Sequence, residues 1–77
     1  MEDWKERLKA EYAQTKERYE KLKAYNTKQE VETRISTYSN ISRKDRYRSD
    51  LMMHQEETMW QYLQILEKRA VLEGIEL

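Results

Sequence analysis

The sequence predicts an all-α chain: two long amphipathic helices folded into an antiparallel hairpin, with hairpins assembling into a helical-bundle homo-oligomer. Three observations carry that expectation. Proline is absent, and the single glycine among 77 residues is Gly74, so almost nothing interrupts a helix. Apolar residues recur at alternating steps of three and four on both sides of one polar stretch, Ser36 to Ser42. A chain this small has much surface for its volume. Without cysteine it can use neither disulfides nor thiolate metal sites, which leaves self-association as its support.

Residues 1–77 read as a single helical-hairpin domain. The first helix is expected over about 4–35. Asp3 and Glu6 have capping-box spacing at its start. Leu8, Tyr12, Thr15, Tyr19, Leu22, Asn26 and Gln29 then form a heptad seam. The seam is soft, because tyrosines stand where leucine would be stronger and three members are polar. Glu17 and Lys21 sit at i,i+4 on the exposed side.

The turn falls at about 36–42, where serine, threonine and asparagine compete for backbone hydrogen bonds. The second helix runs over about 43–73. Ser42 and Asp45 repeat the capping-box spacing, with Ser49 as an alternative start. Met52, Met59, Leu63, Leu66 and Ala70 make one seam, and Leu51, Tyr62, Ile65 and Leu72 a second apolar stripe. Gly74 suits a left-handed C-terminal stop, with Ile75 packing back. One partner helix cannot cover both stripes, so copies of the hairpin are expected to meet. Tyr12, Tyr19, Leu22, Met52, Met59, Trp60, Leu63 and Leu66 are the residues expected in the oligomer interface.

Charge excludes several classes. Fifteen basic and fifteen acidic residues cancel, and balanced charge with two tryptophans and six tyrosines argues against disorder. Zero net charge also argues against a nucleic-acid backbone as ligand. No apolar run approaches the ~20 residues that cross a bilayer. The start, MEDWKERL, lacks the basic-then-apolar form of a secretion signal, so a cytoplasmic protein is expected.

No catalytic machinery is legible. His54 in the string HQEE lacks the second histidine of a zinc hydrolase, so no metal site and no cofactor are expected. The carboxylates mostly sit near basic residues at helical spacing, as solvated faces do, and no glycine-rich phosphate loop exists. The basic stretch is different. Arg34, Arg43, Lys44, Arg46 and Arg48 cluster around the turn with one acid, Asp45, and with Tyr38 and Tyr47 among them. Arginine forks match phosphate oxygens, a helix N-terminus with Ser42 attracts anions, and tyrosine stacks on a base. The string SRKDRYR therefore has the parts of a nucleotide or phosphate site, the competing reading being a solvated helix start.

The second helix resembles the C-terminal half of small bacteriophage proteins. Their pattern is carried here by Gln55, Met59, Tyr62, Leu63, Leu66, Glu67, Arg69, Glu73, Gly74 and Ile75. A first-helix pattern follows through Arg18, Lys21 and Leu22, with Tyr25 in place of phenylalanine. Ser42-Arg43 and Met59-Trp60 are also similar to elements of phage helical hairpins that defeat the CBASS and Thoeris immune systems. That resemblance implies an anti-defence sponge in the host bacterial cytoplasm. It would oligomerise and hold a small anionic nucleotide, a cyclic oligonucleotide or cyclic ADP-ribose type signal, without cleaving it. The alternative is a module that inhibits or tethers a protein partner through the second stripe.

Overall fold

The computed structural model describes residues 3–36 and 41–77. It contains two helices, α1 (Asp3–Ile35) and α2 (Arg43–Glu73), packed against each other as a hairpin 57 × 20 × 16 Å in extent. Tyr38 lies outside the described residues.

Local chemistry sets the ends of α2. The Ser42 side chain accepts the Asp45 N–H at 3.1 Å, from the extended backbone that an N-cap requires. The Asp45 carboxylate does not reach back to complete a capping box; it accepts from Arg48 Nη1 at 3.0 Å. Gly74 closes the helix in the left-handed region, φ 66°, and Ile75 N–H donates to the Ala70 carbonyl at 2.8 Å. At the other end of the chain the expected box is also unformed. Asp3 is already helical and Glu6 pairs with Lys9, so both acids act on the first turn through the helix dipole.

The seam between the helices is uneven. Leu8, Leu66 and Ala70 are buried together, with Tyr12 and Ile75 packed on them, and Leu63 and Thr15 are buried beside this cluster. All of it lies in the half farther from the turn. In the half nearer the turn, Leu22, Asn26, Gln29, Met52 and Glu56 are only half-buried. There the polar side chains lock the helices directly. Asn26 Nδ2 donates to the Met52 carbonyl and to Glu56 Oε1, both at 3.0 Å. Glu56 thus fills the seam step between Met52 and Met59. A single polar pair of this kind costs burial energy but fixes the register of two helices. Among the described residues no buried side-chain polar atom is without a partner.

Most of the residues expected between copies are used within the chain. Tyr12, Tyr19, Leu22, Met52, Met59, Leu63 and Leu66 are buried or half-buried along the α1–α2 seam, and Trp60 is exposed outside it. The second stripe of α2 remains uncovered.

Candidate functional site

The turn end gathers the basic residues because α1 delivers Arg34 on its last turn and α2 begins immediately after Ser42. The first N–H groups of α2 have no intrahelical acceptor, and the helix dipole adds partial positive charge there. Two of the cations are already paired: Arg34 with Glu30 at 3.1 Å and Arg48 with Asp45 at 3.0 Å. Arg43, Lys44 and Arg46 have no carboxylate within ion-pair distance among the described residues.

Two adjoining grooves lie between the helices near the turn end, with Gln29, Thr33, Ile41 and Ser49 common to both. The first, about 340 Å³, is lined by Arg34 and Arg46, by the apolar wall of Ile41 and Met53, and by Gln29, Glu30, Thr33 and Ser49. The second is about 290 Å³. Tyr25, Asp45, Arg48 and Met52 line it together with Asn26, Gln29, Thr33, Ile41 and Ser49. The eight expected ligand residues are therefore divided. Arg34 and Arg46 share one groove and Arg48 lines the other. Ser42 serves as the cap, and Arg43, Lys44 and the exposed Tyr47 line neither groove.

The first groove combines two kinds of surface. Arg46 brings an uncompensated guanidinium, and Arg34 a second one held by an exposed carboxylate that a stronger anion can displace. Ile41 and Met53 offer the apolar flank on which a planar ring can lie. No group of three or more histidine, aspartate or glutamate side chains converges among the described residues, and His54 is exposed.

A further groove, about 360 Å³, lies at the opposite end. Trp4, Arg7, Leu8 and Glu11 of α1 line it with Tyr62, Leu66 and Arg69 of α2. Sequence reasoning missed it as a unit. Trp4 and Arg7, and likewise Tyr62 and Arg69, are separated by three and seven residues on the flank of the seam, and that repeat was the available signal. Lys16 and Lys21, which could share a cleft with Arg69 on sequence grounds, do not join it. Lys16 lies over the Tyr12 ring and Lys21 pairs with Glu17 at 3.0 Å. Among the described residues, no helix is long and apolar enough to cross a membrane.

Comparison with known proteins gives one family. No curated protein and no solved structure matches the chain significantly. A family model described as Sequestin matches residues 2–72, all of α1 and all of α2 but its last residue, and the chain belongs to that family.

Proposed function

We propose that the chain is a phage anti-defence protein that sequesters a nucleotide immune signal, of the cyclic oligonucleotide or cyclic ADP-ribose type, without breaking any bond. The family's description speaks for sequestration. The observation that carries the nucleotide is the groove at the turn, where the unpaired Arg46 and the exchangeable Arg34 stand beside Ile41 and Met53. Phosphate oxygens take the guanidinium forks, and the base lies on the apolar wall. Arg43, Lys44 and the first N–H groups of α2 raise the local positive potential. Sequestration needs only tight, reversible binding, which fits a site without an evident nucleophile or acid–base pair.

Thermal shift against cyclic di- and trinucleotides and cyclic ADP-ribose isomers tests this reading. A ligand at a hundredfold excess over its Kd adds about 2.7 kcal/mol by mass action. The shift is expected in the wild type, reduced in Arg43→Ala/Lys44→Ala, and lost in Arg34→Ala/Arg46→Ala. A shift lost in Arg7→Ala/Arg69→Ala instead moves the pocket to the far end. No shift with any ligand favours the second reading, a module that docks on a protein partner through the exposed stripe of α2, and co-purification then becomes the assay.

A further inference from the structure

The groove at the end away from the turn gathers charges that the chain does not use on itself. Arg7 and Glu11 stand at i,i+4, the spacing of a helical ion pair, yet they do not pair. Glu11 Oε1 instead accepts the hydroxyl of the buried Thr15 at 3.2 Å, which holds the carboxylate in place. Among the described residues neither Arg7 nor Arg69 has a carboxylate within ion-pair distance. Two aromatic rings from opposite helices, Trp4 and Tyr62, line the same groove and are each 40% exposed. Lys5 Nζ lies 5.7 Å over the Trp4 ring and adds positive charge beside it.

We propose that this groove is a second binding site, separate from the turn end, for a single guanine nucleotide. Each of its groups has a part of that ligand to meet. The base lies on an aromatic face, which every base can do. The guanidinium forks of Arg7 and Arg69 take the phosphate oxygens. Two guanidiniums call for a dianion; a phosphate monoester carries close to two negative charges at neutral pH, and a carboxylate only one.

Glu11 selects the base. Guanine presents N1–H and N2–H side by side, two donors for the two oxygens of a carboxylate, which accepts and never donates when ionised. Adenine offers one amine beside a ring nitrogen whose lone pair the carboxylate repels. The bond from Thr15 leaves Glu11 enough acceptor capacity for both guanine donors.

Size limits the ligand to one nucleotide. At about 360 Å³ the groove is near the small end of ligand pockets, which run to roughly 1,000 Å³. Arg69 lies twenty-three residues beyond Arg46 on α2, about 34 Å at ~1.5 Å per residue, so no single small nucleotide reaches both ends. The far site therefore fills independently, whether or not the turn end takes a cyclic signal.

Trp60 lies outside the groove, so Trp60→Phe leaves Trp4 as the only tryptophan and makes its fluorescence report on the site. Guanosine monophosphate titrated into that protein is expected to quench it, with adenosine monophosphate binding about tenfold or more weaker. Further changes are made in the same background. Arg7→Ala/Arg69→Ala is expected to abolish the quench while keeping its helical circular dichroism, because both residues are exposed. Glu11→Gln keeps an acceptor for Thr15 and is expected to bring the two affinities together. Arg34→Ala/Arg46→Ala is expected to change nothing. No quench at millimolar nucleotide, equal affinity for the two bases before Glu11 is changed, a quench that survives Arg7→Ala/Arg69→Ala, or one lost in Arg34→Ala/Arg46→Ala overturns the proposal. A cyclic-nucleotide thermal shift without the guanosine response sinks the second site and leaves sequestration at the turn standing. A guanosine response without that shift does the reverse.

Discussion

Replacing Asn26 by alanine removes two hydrogen bonds and leaves their acceptors in place. One runs to the Met52 carbonyl and one to the Glu56 carboxylate, both at 3.0 Å across the helix pair. A neutral hydrogen bond contributes about 1 kcal/mol net, and one to a charged group about 1.5–3. Both residues are half-buried, so water recovers part of that loss. The expected destabilisation is about 2 kcal/mol, a large share of what a domain of this size possesses. The midpoint of thermal unfolding should fall by roughly 8–16 °C, at about 4–8 °C per kcal/mol. Urea and thermal unfolding followed by circular dichroism, at one fixed protein concentration, measure the loss. A double-mutant cycle with Glu56→Ala isolates the cross-helix pair and should give a coupling near 1.5 kcal/mol. A loss below about 0.5 kcal/mol, or a coupling near zero, would refute the view that this pair locks the register.

Other perturbations follow from the ends and the surface of the helices. Ser42→Ala removes the cap on Asp45 N–H and should cost about 1 kcal/mol, read by urea unfolding, with Ser42→Asp restoring most of it. Gly74→Ala meets no atom within 4 Å, so its cost, about 1 kcal/mol, comes from the left-handed backbone alone; Gly74→Asn should cost less in the same melt. Lys21→Ala breaks an exposed pair with Glu17 and should change stability by less than about 0.5 kcal/mol, at low and high salt alike. Leu66→Ala empties the most buried position and should cost about 2–5 kcal/mol, seen as loss of helical signal at room temperature if the reserve is small.

The hairpin was legible because helical periodicity is a strong signal and the breakers fall in the right places. The α1 seam from Leu8 to Gln29 is the buried and half-buried side of α1, and Gly74 ends α2 as its φ-freedom suggests. Glu56 was not legible as a seam residue, because an acid between Met52 and Met59 reads as a surface position until Asn26 is placed opposite it. The turn-end site was half legible. Composition located the arginines, but their division among two grooves and a cap depends on how each helix is rotated about its axis. A shift of one residue is about 100° around a helix, so Arg46 and Tyr47 part company although they are neighbours in sequence. The far-end groove was missed as a unit because Trp4 and Arg69 come from opposite ends of the chain, although the spacing of Trp4 to Arg7 and of Tyr62 to Arg69 was there to be read.

The distribution of burial along the hairpin also bears on how the chain folds. Many helical hairpins can close from the turn outward, each contact bringing the next within reach. Here the turn side is joined by polar, half-buried groups, and the dry contacts of Leu8 with Leu66 and Ala70 join segments separated by nearly the whole chain. Early contacts near the turn therefore gain little, and the stabilising ones come only after the longest loop has closed. Folding should be slow for an all-helical chain of this length. Amide exchange should be faster in the half-buried segments around Asn26 and Met52 than in those around Leu8, Leu66 and Ala70, which should stay protected longest.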